Sequence, residues 1–95
     1  MECRVLETPG HTPGGVSLYF PAEKLVFTGD ALFYRSMGRT DFPGGDMDAE
    51  LQSLAKIAAL PGDYEVYPGH MDCSTLEFER KYNPYLTALK RRGQI

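Results

Sequence analysis

Cysteine, histidine and tryptophan are scarce in this sequence, and their scarcity excludes several classes of protein. The 95 residues include two cysteines, two histidines and no tryptophan. Two cysteines cannot build the disulfide framework that stabilises small secreted domains. The histidines lie too far apart in the chain for a zinc finger. We therefore expect a protein of the reducing cytoplasm that has no disulfide scaffold.

Long apolar runs and an excess of positive charge are also missing. No apolar run approaches the length of ~20 residues that spans a bilayer, and the start lacks the basic-then-apolar order of a signal peptide. Ten Lys and Arg residues stand against thirteen Asp and Glu residues, which gives a net charge of -3. The one basic cluster, at residues 90–92, is interpreted as a solvated helix end. We expect neither a membrane nor a nucleic acid as a partner.

The length limits the size of the hydrophobic core. At 95 residues and 42% hydrophobic content, the chain is predicted to form one globular domain at most. A chain of this size buries only about 60% of the surface that its unfolded form exposes. Its core is therefore marginal unless a metal or a partner adds stability.

Hydrophobic periodicity and turn signals predict three strands, a helix, a fourth strand and then two further helices. Residues 3–7, 16–20, 25–27 and 64–67 are predicted strands, and a turn over 21–24 makes the second and third antiparallel. Residues 31–45 are predicted to form a long ordered loop with at most a helical turn over 31–34. A first helix follows Asp46, and Ser74 or Thr75 caps a second. Asn83 and Pro84 begin a third. The apolar stripe of the first helix is predicted to be core: Met47, Leu51, Leu54 and Ala58, with Ile57 at its edge.

This order of elements predicts an α/β (α+β) fold, in which a small mixed sheet carries helices on one face. The other face has no cover within the chain. It is predicted to carry Val16, Leu18, Leu25 and Phe27.

Three candidate metal ligands follow predicted strands. His11 and His70 each come directly after a Pro-Gly pair, and Asp30 follows Thr28-Gly29. Such turns reverse the backbone sharply and can aim the next side chain at a point above the sheet edge. Imidazole and carboxylate suit zinc, iron or manganese. Each residue alone is better explained as an ordinary turn or capping residue, whereas the shared placement of all three leaves both interpretations open.

Four sequence blocks carry a resemblance to a known family. They are TPGHTPGG at residues 8–15, FTGDALF at 27–33, GRTDFPGG at 38–45 and YPGH at 67–70. Their order resembles the C-terminal half of a metallo-β-lactamase-fold hydrolase of the glyoxalase II-like, single-domain group. The resemblance implies that residues 1–95 form half of a four-layer αββα sandwich.

The resemblance also implies roles for the three ligand candidates. His11 would complete the ligand set of a first metal ion, Asp30 would bridge two ions, and His70 would bind the second. Two zinc ions are implied, with iron or manganese as alternatives. In this family a metal-bound hydroxide attacks a thioester, which makes a hydroxyacylglutathione-type acyl-thiol the implied substrate.

One family motif has no counterpart in this sequence. The remaining ligands of the family come from a His-x-His-x-Asp-His motif in the N-terminal half, and no histidine remains here to form it. We therefore predict that this chain alone is inactive. Activity would require the missing N-terminal half or a second copy of this chain.

Four further residues have weaker chemical signals. Arg39 and Tyr34 are candidate substrate-binding residues, Arg39 because a guanidinium can hold a substrate carboxylate. Arg35 could line the same pocket. The favoured alternative is that Arg39 pairs with Asp41 or Asp46 to order its own loop, and that Tyr34 and Arg35 are surface residues. Cys73 is interpreted as a free thiol.

Two other functions compete with thioester hydrolysis. Residues 38–42 and 60–63 also resemble a mononuclear iron persulfide dioxygenase, in which His11 and Asp30, but not His70, would be iron ligands. The second alternative is a non-catalytic half-fold that pairs through its uncovered sheet face.

Overall fold

The fold is organised around a mixed β-sheet. The computed structural model describes residues 2–11, 14–38, 40, 45–69 and 72–95. The strands are β1 (Arg4–Glu7), β2 (Val16–Phe20), β3 (Leu25–Gly29), β4 (Leu32–Phe33), β5 (Ser36–Met37), β6 (Glu65–Pro68) and β7 (Ser74–Thr75). The helices are α1 (Met47–Ala58), α2 (Leu76–Tyr82) and α3 (Pro84–Arg91). Five strands form the main sheet in the order β1-β2-β3-β6-β7, and β4 and β5 form a separate hairpin. The predicted fold class is confirmed.

The strand directions bring three strand ends to one edge of the sheet. β1 pairs antiparallel with β2, and β2 pairs antiparallel with β3 as predicted. β3 then pairs in parallel with β6. β1, β3 and β6 therefore point the same way, and their C-terminal ends lie at a common edge.

The three helices cover one face of the sheet. The core consists of strand residues and helix residues packed together, with Val26, Val66, Leu54, Ile57, Leu76, Leu86 and Leu89 almost or completely buried. Within the described ranges, no helix has the length and apolarity to cross a bilayer.

The opposite face of the sheet is apolar and exposed. Val5, Leu18, Phe27 and Tyr67 are register partners on adjacent strands and form one row across the sheet. Val5 is 61% exposed and Phe27 41% exposed. The rings of Phe27 and Tyr67 stack with their centroids 5.3 Å apart. We call this row, together with Val16, the apolar sheet face. Among the described residues this face is exposed as predicted, although Leu25 is partly buried.

The loop prediction for residues 31–45 was wrong in its first half. β4 and β5 form an antiparallel hairpin in place of the helical turn, pairing Leu32 with Met37 and Phe33 with Ser36. Strands of two residues are too short to show a period of two. The turn contains Arg35 with a φ of 53°, a left-handed conformation for which Gly or Asn is the usual sequence signal.

The predicted core stripe of α1 was wrong at its first residue. Met47 is 49% exposed, and Ile57, expected at the edge, is completely buried. The buried face is instead shared with two polar residues, Glu50 and Ser53. The Ser53 hydroxyl donates to the carbonyl of Pro9 at 2.6 Å. A hydrophobic pattern does not register polar residues that are buried by such contacts.

Glu50 is a buried carboxyl beneath the turn that carries His11. Among the described residues, none makes a hydrogen bond of regular geometry to either of its carboxylate oxygens. Burial raises the pKa of Glu50 from 4.5 to about 7, against a smaller lowering by the backbone N–H groups of His11 and Gly38. The folded state therefore favours the protonated form of this side chain.

Side chains cap all three helices. The Asp46 carboxylate accepts from the Ala49 N–H at the start of α1, and Thr75 caps α2, one of the two residues predicted. Asn83 caps α3, with Pro84 in its first turn as predicted. At the end of α1, the Arg80 guanidinium donates to the carbonyls of residues 58, 60 and 62. This fork ties α2 to the C-terminal end of α1.

Replacing Arg80 tests this tie. We expect Arg80→Ala to lower the free energy of unfolding by about 2 to 3 kcal/mol, because three carbonyls lose a charged donor. Arg80→Lys should recover only part of the loss, since an ammonium lacks the planar fork. Urea unfolding followed by circular dichroism measures the change, with the exposed cation variant Arg91→Ala as control. A loss below about 0.5 kcal/mol for Arg80→Ala would contradict this role.

The buried carboxyl of Glu50 leads to a second prediction, which concerns the pH dependence of stability. The pKa of Glu50 is raised on folding. Its contribution to the free energy of unfolding is therefore fully present below pH 4.5 and is lost as the pH rises through about 7. Glu50→Gln, which mimics the protonated acid, should match the wild type near pH 4.5. At pH 8 it should be more stable by about 1 to 3 kcal/mol.

Urea unfolding of both proteins across this pH range measures the difference. The exposed variant Glu23→Gln is the control and should show no pH-dependent gain. Equal stability of Glu50→Gln and the wild type at pH 8 would contradict the raised pKa.

Candidate metal centre

The candidate centre lies at the common C-terminal edge of β1, β3 and β6. His11 follows β1 after a three-residue turn, and Asp30 directly follows β3. Gly69 directly follows β6, and its N–H donates to the Gly29 carbonyl at 2.8 Å. The structure thus brings the turns of His11 and Asp30 together and places the end of β6 beside them. His70 is the next residue in the sequence and lies outside the described residues.

The side chains of His11 and Asp30 face each other. His11 Nε2 lies 3.8 Å from Asp30 Oδ2, and the side chains are 27% and 43% exposed. Both line a pocket of about 200 Å³ with Thr8, Val16 and Thr28. Ligand bonds of about 2.1 Å at tetrahedral angles would put two donor atoms roughly 3.4 Å apart. The observed separation therefore suits two ligands of one cation.

The turn that carries His11 is held from both sides. The Thr8 N–H donates to the Gly15 carbonyl at 2.9 Å, and the Asp46 N–H donates to the Gly10 carbonyl at 2.7 Å. Gly10 has a φ of +141°, and a Cβ added there would lie 2.4 Å from the Glu50 Cα. Only glycine fits this position, so the Pro-Gly sequence before His11 is explained by close packing on α1.

Asp30 is held by the turn that leaves β3. The Thr28 hydroxyl donates to the Leu32 carbonyl at 2.7 Å, and the Ala31 N–H donates to the Thr28 carbonyl at 3.0 Å. Gly38 then packs onto this turn. A Cβ added to Gly38 would lie 1.8 Å from the Asp30 carbonyl oxygen and 3.0 Å from the His11 Cβ.

Gly38 and Gly10 are therefore part of the candidate centre. Gly10 was expected to shape the turn before His11, whereas no role in the centre was predicted for Gly38. A single sequence does not distinguish a glycine that interrupts regular structure from a glycine that close packing requires.

The predicted substrate-binding residues are only partly described. Arg39, like His70, lies outside the described residues. The Tyr34 ring stacks on Phe78 of α2 with centroids 5.3 Å apart and does not line the pocket of His11 and Asp30. Arg35 is exposed, and its backbone N–H donates to Glu79. Cys73 has an exposed free thiol, in agreement with its interpretation.

A third ligand does not come from the described part of the chain. Over the described ranges, no group of three His, Cys, Asp or Glu side chains is placed to hold a metal ion. His11 and Asp30 alone provide too few donors for a closed site.

Known proteins match this chain in sequence. A hydroxyacylglutathione hydrolase, GloC, of Haemophilus influenzae is 39% identical over 85 residues, which cover 88% of this chain and 40% of the enzyme. The human mitochondrial persulfide dioxygenase ETHE1 is 46% identical over 85 residues, covering 84% of this chain and 34% of that protein.

Solved structures agree with this match. The crystal structure of TTHA1623 in a di-iron-bound form has a TM-score of 0.85 at 45% identity, covering 88% of this chain and 42% of that one. The chain spans less than half the length of each of these relatives. The family profile described as the metallo-beta-lactamase superfamily matches residues 4–70. With the sheet, the strand-end turns and this match in agreement, the chain belongs to the metallo-beta-lactamase superfamily.

Proposed function

We propose that this chain is the C-terminal part of a metal-dependent hydrolase that cleaves hydroxyacylglutathione-type thioesters. The observation that carries the proposal is the facing pair of His11 and Asp30 at the edge where β1, β3 and β6 end. The 39% identity to a hydroxyacylglutathione hydrolase supports the substrate class. Two exposed free cysteines are consistent with a cytoplasmic location.

The donor set fits a metal ion. The proposed ligands are His11, Asp30 and His70, with two zinc ions in the active protein. Imidazole and carboxylate donors also suit iron and manganese, and one relative is di-iron-bound. When bound, the metal supplies a hydroxide nucleophile at neutral pH and polarises the substrate carbonyl.

The chain's own residues orient the ligands. The hydrogen bonds at Thr28 and Ala31 fix the turn of Asp30, and Gly38 closes the space beside it. Arg39 is proposed to bind a carboxylate of the acyl-thiol through a bidentate contact. This role comes from the sequence block at residues 38–45 alone. Tyr34 is not part of the proposal, because its ring stacks on Phe78 outside the pocket of His11 and Asp30.

The apolar sheet face supports the proposal that the chain works with a second part. Large apolar side chains are exposed together on three neighbouring strands, as is typical of a surface that another protein segment covers: Val5, Val16, Leu18 and Phe27. We propose the N-terminal half as the cover, with a second copy of this chain as the alternative. The chain together with its cover is called the complete protein below.

A mononuclear iron persulfide dioxygenase is the second candidate. The 46% identity to human ETHE1 favours it as strongly as the hydrolase match favours thioester cleavage. Metal analysis of the complete protein separates the two, because a single iron ion indicates the dioxygenase and a pair of zinc-type ions the hydrolase.

Exchange of segments tests the reaction class directly. In one chimera this chain replaces the matching segment of the Haemophilus enzyme, and in another that of human ETHE1. We expect thioester hydrolysis by the first chimera and no persulfide-dependent oxygen uptake by the second. Oxygen uptake by the second together with an inactive first would favour the dioxygenase. Two folded but inactive chimeras would contradict the proposal that this chain completes such an enzyme.

Asp30 provides a test of the metal centre itself. Because it is proposed to bridge two ions, Asp30→Asn should lower the metal content of the complete protein from about two ions to one or fewer. Elemental analysis after dialysis measures the content. Asp48→Asn, an exposed carboxylate on α1, is the matched control and should retain the wild-type content. Unchanged metal in Asp30→Asn would rule out its role as a ligand.

A charged substitution tests whether the apolar sheet face is an interface. Phe27→Glu should prevent association with the cover, because an unpaired carboxylate would be desolvated in the interface. Sedimentation of the chain, alone and mixed with an N-terminal half taken from a relative, measures association. Met47→Glu also changes a half-exposed apolar residue but lies on α1, so it should associate like the wild type. A folded, stable monomer that binds no cover would contradict this part of the proposal.

A further inference from the structure

Glu79 on α2 is a buried carboxylate, and both of its oxygens accept hydrogen bonds. Its Oε1 accepts from the backbone N–H of Arg35 at 2.8 Å and from Nδ2 of Asn83 at 3.0 Å. Its Oε2 accepts from the hydroxyl of Ser74 at 2.6 Å. A buried charge is tolerated only when its lone pairs are satisfied in this way. The donors come from three separate parts of the chain, so Glu79 joins them at one point.

Glu79 and Asn83 together hold the turn of the β4–β5 hairpin. Besides its bond to Glu79, Asn83 Nδ2 donates to the carbonyls of Ser36 at 3.0 Å and Phe33 at 3.4 Å. The turn residue Arg35 adopts a left-handed conformation that a non-glycine residue keeps only when its surroundings enforce it. We call Glu79 and Asn83 the hairpin clamp.

The other end of the same hairpin lies in the candidate metal centre. The hairpin begins two residues after Asp30 and ends at Met37. The N–H of the next residue, Gly38, donates to the Ala31 carbonyl at 3.1 Å. Gly38 packs against the Asp30 carbonyl and the His11 Cβ so closely that no side chain fits. A shift of the turn would therefore be transmitted to the backbone next to both ligands.

We propose that Glu79 is a positioning residue of the metal centre. By holding the hairpin turn, it keeps Gly38 seated against Asp30 and His11, and so fixes the distance between the two ligand side chains. The inference rests on the proposed function in taking these two residues as metal ligands. The clamp itself is independent of that function.

Two substitutions at Glu79 separate the effect of side-chain length from the effect of charge. Glutamine keeps the length of the side chain, and its carbonyl can accept from Arg35 and Asn83 while its amide donates to the Ser74 hydroxyl. Aspartate keeps the charge but is one methylene too short to make the same contacts. Glu79→Gln should therefore preserve the hairpin, and Glu79→Asp should release it.

Two measurements on the complete protein follow the clamp and the centre separately. Hydrogen exchange reports the Arg35 amide, and titration with Co²⁺, monitored by its absorption spectrum, reports the centre. We expect Glu79→Asp to accelerate exchange at Arg35 and to weaken Co²⁺ binding about tenfold, the lower end of effects for residues beyond the ligands. Glu79→Gln should remain within about twofold of the wild type in Co²⁺ affinity. Glu77→Asp, the same shortening at an exposed position of α2, is the matched control.

Each outcome decides between the possible roles. Faster exchange at Arg35 with unchanged Co²⁺ affinity in Glu79→Asp would overturn the proposal and leave the clamp a purely structural feature. Unchanged exchange would overturn it as well. A wild-type protein that protects Arg35 but binds no Co²⁺ would refute the proposed metal centre, and the inference with it. If Glu79→Asp does not fold, Asn83→Ser removes the donor to the hairpin but keeps a capping oxygen, and the same loss of Co²⁺ affinity is expected.

Discussion

The parallel pairing of β3 with β6 is the constraint on which the candidate centre depends. It places Gly29 and Gly69 side by side, joined by a hydrogen bond of 2.8 Å, so that two turns leave the sheet at the same edge. β1 lies two strands away and runs in the same direction, which brings the His11 turn to that edge as well. The antiparallel pairings of β1 with β2 and of β2 with β3 give β1 and β3 the same direction, so that His11 and Asp30 face each other at 3.8 Å beside the end of β6.

The helices support this edge from one side only. α1 packs under the His11 turn and against Gly10, and α2 holds the hairpin that returns to Asp30. On the other side of the sheet the row from Val5 to Tyr67 is open. The described residues therefore form a helix-backed wall of the candidate metal centre and provide two of its three proposed ligands. This is consistent with a chain that spans less than half the length of its relatives.

Much of the fold follows from local sequence signals. The alternation over residues 16–20, the turn before Leu25 and the capping residues Thr75 and Asn83 predicted elements that the structure confirms. These signals are local, since each depends on a few neighbouring residues. The position of His11 and Asp30 after their strands could also be predicted, because turn glycines precede both residues.

The features that the sequence did not predict depend on contacts between distant segments. The β4–β5 hairpin has strands of two residues, and its turn is enforced by Glu79, which lies 44 positions away in the chain from Arg35. Ser53 is buried because it donates to Pro9, also 44 positions away. No period or propensity encodes such pairs. The same holds for Gly38, whose role appears only when Asp30 and His11 are seen on either side of it.

His11 and Asp30 are proposed as ligands of one metal ion. An anomalous difference map from crystals of the complete protein, recorded above the absorption edge of the bound metal, would locate that ion. If both residues are ligands, a peak is expected about 2.0 to 2.2 Å from both the His11 imidazole nitrogen and an Asp30 oxygen. A metal bound elsewhere, or no peak between two side chains that still face each other, would contradict the proposal.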